Sequence, residues 1–134
     1  MSVAGVVVND DDQVLVIQRR DNGRWEPPGG VLELDESPEA GVAREVLEET
    51  GIKVEVGQLS GIYKNMSRGI IALVFRCEPV AGQERATDES LDVRWISLPE
   101  VTAAFSPAYA IRVLDAFEPG VSVRTHDGTQ SLDF

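Results

Sequence analysis

Three glutamates, Glu45, Glu48 and Glu49, lie within five residues of one another, with Arg44 directly before them. On a helix turning about 100° per residue, Glu48 and Glu49 fall on either side of Glu45, so the three carboxylates share an arc of about 100°. Like charges at these spacings repel by roughly 0.2–0.5 kcal/mol per pair, and the second half of a helix disfavours anions. A solvated acidic face would intersperse Lys or Arg, whereas a bound divalent cation reverses both penalties. With no Cys or His nearby the donors are all oxygen, which suits Mg²⁺ first and Mn²⁺ as the alternative, and disfavours zinc. Magnesium keeps several waters and is commonly completed by phosphate oxygens, so the expected substrate is a phosphate ester or anhydride.

The helix that must carry this cluster is well punctuated. Ser37 suits the N-cap, Pro38 the first helical position, Glu39 the first turn and Gly51 the C-terminal stop. Ala43, Val46, Leu47 and Thr50 fall opposite the carboxylates and are expected to face a core. Upstream, residues 3–8 and 14–19 read as the strands of a hairpin, and residues 21–30 as a loop rich in Gly and Pro. Strand patterns follow at 53–63, 69–77 and 91–96, then helices over 99–105 and 107–117. Residues 119–134 show no periodicity and read as a docked or loose tail. Residues 1–134 therefore make one domain of the α+β class, with helices around a mixed sheet.

Composition narrows the partners. Against 12 Lys and Arg stand 23 Asp and Glu, a net charge of -11, which argues against binding a nucleic-acid polymer. Residues 30–52 hold seven acids and one base, just over half of that excess. No apolar run approaches the roughly 18 residues that cross a bilayer, so no membrane partner is expected. The single Cys77 excludes an internal disulfide, and the single His126 excludes a histidine-built zinc site; both read as structural. The N-terminus has no basic start followed by a long apolar stretch, and the expected compartment is the cytoplasm.

Gly30, Glu36 and the run Arg44-Glu45-Val46-Leu47-Glu48-Glu49-Thr50-Gly51-Ile52 together resemble the Nudix signature, with every defining position of the box at 30–52 present. Trp25-Glu26-Pro27-Pro28-Gly29 resembles the usual approach to that box, with Pro27 where an aliphatic residue is commoner. The resemblance implies an α/β/α sandwich with a mixed β-sheet between helices. It also implies a MutT-like, metal-dependent hydrolase of nucleoside diphosphates linked to another group, X. By resemblance Glu48 and Glu49 are the main metal ligands, Glu45 is a further ligand or the base, and Arg44 orients them. Gly30 offers either a carbonyl ligand or a plain tight turn. Glu36 and Gly51 take structural roles, Glu36 by pairing with Arg44.

The base is either a box glutamate or Glu89, which is followed by Arg94-Trp95 as in the later acidic strand of relatives; Asp88 and Glu84 are also at hand. Arg19 and Arg20 occupy a position that in relatives contacts substrate, and strand alternation allows at most one of them to point inward. Trp25 and Tyr63 are candidates for stacking on a nucleobase, against the commoner role of buried aromatics in a core. The markers of the ADP-ribose and dinucleoside polyphosphate subgroups are missing after the box. The substrate expected is a small nucleotide of the (d)NTP type, with ADP-ribose or a nucleotide sugar as the alternative. A non-catalytic nucleotide-binding regulator on the same fold, and a homodimer, stay open.

Overall fold

In the computed structural model, which describes residues 1–132, β1 (Ser2–Val7) and β2 (Val14–Arg19) form where the β-branched runs lie. Asn9 shapes the turn between them, its Oδ1 accepting from the N–H groups of Asp11 and Gln13. The expected hairpin does not form. The two strands share one bridge, Val8 to Val14, and then splay into different sheets. β1 is buried at five of six positions and β2 at its first four, so each needs cover on both faces, which a two-stranded ribbon cannot supply.

The larger sheet runs β4 (Gly29–Val31), β1, β6 (Ile70–Gly82), β5 (Ile52–Asn65), β8 (Ser122–His126) and β9 (Ser131–Leu132). β1 lies parallel to β6 and β5 parallel to β8, while the other pairings are antiparallel. The smaller antiparallel sheet runs β3 (Trp25–Glu26), β2 and β7 (Ser90–Ile96). The mixed sheet is thus real, but the strands divide into two sheets, and the Gly/Pro-rich loop contributes a short edge strand to each. As far as residue 132 the tail is docked, residues 133–134 lying outside the described residues: β8 pairs with β5 from Gly61 opposite Ser122 to Asn65 opposite His126.

Helices cover both faces. α1 (Pro38–Thr50) sets Val42 and Val46, neither with any exposed area, against Val3, Val7 and Cys77. Burying those two valines is worth roughly 3–6 kcal/mol. Ser37 Oγ accepts from the Ala40 N–H, and Gly51 closes the helix at φ 79°, a left-handed turn that a side chain would strain. Leu47, expected on the apolar side, is 42% exposed. α2 (Leu98–Ala104) and α3 (Pro107–Asp115) cover the opposite face, where Val101 and Val113 meet Val6, Val74 and Tyr63. Among the described residues no helix is long and apolar enough to cross a membrane.

Candidate active site

The carboxylates of α1 do not face open solvent. β4 lies over them, and Glu45 and Glu49 are 8% and 4% exposed. Gly30 makes this approach possible: a Cβ there would stand 2.7 Å from the Cδ and both oxygens of Glu45. The Gly29 N–H donates to Glu49 Oε1 at 3.1 Å. Burial first, and the Glu45 carboxylate second, push Glu49 up to about 9, against the pull of the Gly29 N–H. Without a cation, this pair retains a proton at neutral pH.

Arg44 binds the outer side of the cluster. Its Nε and Nη2 hold Glu36 in a fork at 3.0 and 2.6 Å, Nη1 reaches Glu45 at 2.9 Å and Glu48 at 3.2 Å, and Nη2 also donates to the Val31 carbonyl. The Arg44 guanidinium and the Glu33 N–H hold Glu36 at about 2, well below the usual carboxylate range. Glu36 therefore anchors Arg44 and stands outside the cavity. Glu48, expected as a main metal ligand, is instead drawn outward to Arg44, its side chain 57% exposed, and does not line the cavity that Glu45 and Glu49 line.

Among the described residues no three acidic, His or Cys side chains already converge as a metal shell. The donors nonetheless suit a hard divalent cation. They are carboxylate oxygens only, two are buried side by side around a retained proton that a cation can displace, and the place of a Cβ at Gly30 is open beside them.

The pair opens on a cavity of about 990 Å³ in the gap left where β1 and β2 part. Arg19, Arg20 and Glu89 line it together with Glu45, Glu49 and Gly30. Both arginines line the cavity, where alternation along a strand would admit one, because Arg20 follows the last residue of β2; the register shift between Gln18 and Arg19 leaves Leu91 of β7 unpaired. Arg19 is bound by Asp21 and Glu26, and Arg20 by the carbonyls of Asp88 and Ser90. Glu84 instead accepts from Trp95 Nε1.

Trp25 is not among the residues lining the cavity. It points to the opposite side of β3 from Glu26, packs on the α2/α3 core and has the Arg94 guanidinium over its ring at 5.5 Å. Tyr63 is 1% exposed and donates to Asp115 at 2.7 Å, a core role. The sequence reading missed Tyr109, Arg112 and His126, which line the same cavity from α3 and β8. Only the β-branched alternation of Ser122-Val123-Arg124-Thr125 hinted at the strand that brings His126 in.

The Nudix domain model matches residues 1–117. A MutT-like protein of Streptomyces ambofaciens is 60% identical over 129 residues, covering 96% of this chain and 84% of that protein. An ADP-ribose pyrophosphatase of Methanocaldococcus jannaschii is 31% identical over 99 residues, covering 69% of this chain and 59% of that one. Among solved structures, an ADP-ribose pyrophosphatase of Streptococcus suis superposes with a TM-score of 0.77 at 20% identity, covering 93% and 97% of the two chains, a likeness of fold.

Proposed function

Because the chain belongs to the Nudix family of pyrophosphohydrolases, we propose that it cleaves, with Mg²⁺ or Mn²⁺, the pyrophosphate bond of a nucleoside diphosphate linked to a group X. The observation that carries this reading is the buried Glu45 and Glu49 pair, set against Gly30 at one end of a cavity large enough for a nucleotide.

Glu45 and Glu49 would hold the cation, with the Gly30 carbonyl as a further donor, and Glu48 would join them only by turning in from its solvent-exposed position on Arg44. When bound, the cation neutralises phosphate charge and lowers the pKa of water. Arg44 fixes the direction of the Glu45 and Glu48 carboxylates through its paired donors, and Glu36 fixes Arg44. Glu89 takes the proton from the attacking water in this scheme. Its carboxylate lines the cavity and makes no hydrogen bond among the described residues, whereas Glu45 and Glu49 are each already bonded. Arg20, held by two carbonyls, meets the substrate phosphates.

The cavity runs across the larger sheet from β4 to β8, four strand spacings or roughly 19 Å. That span favours an X the size of a sugar over the terminal phosphates of a (d)NTP, and two similar proteins are named ADP-ribose pyrophosphatases. The test is product analysis by mass in ¹⁸O-labelled water, with either cation and a panel of dNTPs, nucleotide sugars and ADP-ribose. Nucleoside monophosphate plus phosphorylated X is the expected outcome. Wild-type turnover of every active substrate by Glu48→Gln and Glu49→Gln would sink the assignment, and no product from any of them would favour a nucleotide-binding regulator.

A further inference from the structure

The end of the cavity farthest from Glu45 and Glu49 is chemically different. There α3 places Arg112, β8 places His126, and the turn after β5 places Arg68. Arg112 is 7% exposed, with its guanidinium carbon 5.1 Å from the centre of the Tyr63 ring and 4.5 Å from that of Tyr109. Among the described residues its Nε is buried without a hydrogen-bond partner. Among the described residues no carboxylate bonds to it either: Glu26, the acid whose field reaches it, accepts from Arg19 at 3.0 Å. A buried guanidinium is stable when a carboxylate or a bound anion meets it, and among the described residues this one meets two aromatic faces and the His126 ring.

His126 adds a second mismatch. The Gly128 N–H points at its Nδ1 from 2.9 Å, and Arg112 Nη2, which is only a donor, stands 3.1 Å from its Nε2. A neutral imidazole accepts at one nitrogen only, so in either tautomer one of these contacts sets donor against donor and lacks an acceptor. Five of the 12 Lys and Arg line the cavity, Arg19, Arg20, Arg24, Arg68 and Arg112, against six acids, Asp21, Glu26, Glu45, Glu49, Asp88 and Glu89. Asp21 and Glu26 are held by Arg19, which leaves Arg24, Arg68 and Arg112 as the charges of this end. Arg24 is tied to this end through the Gly128 carbonyl.

We propose that the Arg112 and His126 end of the cavity is an anion subsite, holding a phosphate monoester that the substrate carries on the far side from the anhydride that is cut. The span of roughly 19 Å between β4 and β8 is longer than a triphosphate chain, so the group bound here belongs to another part of the molecule. The substrate class rests on the hydrolase reading above; the subsite itself does not.

His126 is the single histidine of the chain, so its ring-proton NMR signal reports on this site without assignment. Inorganic phosphate is titrated into metal-free protein. A saturable shift of that signal is expected, retained in Glu49→Gln, absent with ribose, and weakened at least roughly 10-fold in Arg112→Met. Should Arg112→Met fail to fold, Arg112→Lys serves, since it keeps the charge and loses the fork. With Mg²⁺, kcat/KM for 2′-phospho-ADP-ribose should exceed that for ADP-ribose by roughly 10- to 100-fold, and the ratio should collapse in the Arg112 variant.

No shift with phosphate in the folded wild-type protein overturns the proposal. So does a shift that both Arg112 variants leave untouched, or one produced by guanosine and not by phosphate, which would make the pocket a reader of bases. Equal kcat/KM for the two substrates overturns the placement of the phosphate on the substrate. Loss of all hydrolysis with the phosphate shift intact would instead sink the hydrolase reading and leave the subsite standing.

Discussion

Gly30→Ala separates the active-site role of the β4 approach from its structural role. The new Cβ would stand 2.7 Å from three atoms of the Glu45 carboxyl group, where carbon atoms in contact normally lie about 3.5–4.0 Å apart. Glu45 must therefore retreat by roughly 1 Å. What it meets is the far end of a flexible side chain, so the fold absorbs the change at about 1 kcal/mol, the low end for overpacking. With an unfolding entropy of about 2.1 cal/mol/K per residue over 134 residues, that lowers Tm by about 4 °C. If Glu45 holds the cation as proposed, the same 1 Å displaces that ligand, and kcat should fall by about 10²-fold. Gly29→Ala is the contrast. Its Cβ would run into the Val3 carbonyl and stand 2.8 Å from the Ala4 Cα, backbone that cannot step aside, so stability should drop by about 3 kcal/mol or more. Steady-state hydrolysis and calorimetry on both variants decide. A Gly30→Ala protein with wild-type kcat, or one as unstable as Gly29→Ala, refutes the reasoning.

Arg44→Lys should lose roughly 10- to 100-fold in kcat, nearly as much as Arg44→Ala, because an ammonium cannot replace the fork that spans Glu36, Glu45 and Glu48; full activity in the lysine variant would contradict this. Mg²⁺ or Mn²⁺ at 100 times its Kd should stabilise the protein by about 2.7 kcal/mol, raising Tm by about 10 °C, and EDTA should reverse it; an unchanged melting curve would leave the carboxylate pair without a cation. Asp115 is buried, which alone would raise its pKa, but the hydrogen bonds from Arg124 and Tyr63 hold it below the ordinary value. Its contribution is then complete above the unfolded pKa of about 3.9 and is lost as pH falls through the lowered value, so Arg124→Gln should begin acid unfolding at a higher pH. Melting curves between acid and neutral pH that run parallel for the two proteins would count against it.

The box was legible because its chemistry is local. Cap, first-turn proline, carboxylate spacing and stop glycine all sit in one helix, and the helix forms as its residues demand. What lay beyond reach were the pairings. Residues 3–19 have the composition of a hairpin, and only the need to bury both faces of each strand sends them into different sheets. That Arg19 and Arg20 both line the cavity depends on β2 ending at Arg19, a boundary that alternation cannot anticipate. β8 is short and half exposed, so its sequence carries little pattern; its place is set by a parallel partner 61 residues earlier and by the ion pair of Arg124 with Asp115.

These non-local pairings also change the meaning of the net charge. Read along the chain, an excess of 11 negative charges describes a molecule that repels anions. Folding sorts that charge: Glu45 and Glu49 gather at one end of the cavity, where in the proposed scheme a cation would neutralise them, while Arg24, Arg68 and Arg112, far apart in the chain, converge at the other. An anionic substrate therefore meets an acidic surface whose field opposes it at long range and is screened beyond about 10 Å at 0.1 M salt. Inside the cavity it meets arginines at a range and dielectric where each counts for far more. It follows that salt should relieve the long-range repulsion while leaving the buried contacts largely intact. Raising ionic strength from low values should thus lower KM or leave it flat, the reverse of what a basic surface groove produces, and a steep rise in KM with added salt would place the recognition of the anion on the exposed arginines instead of Arg112.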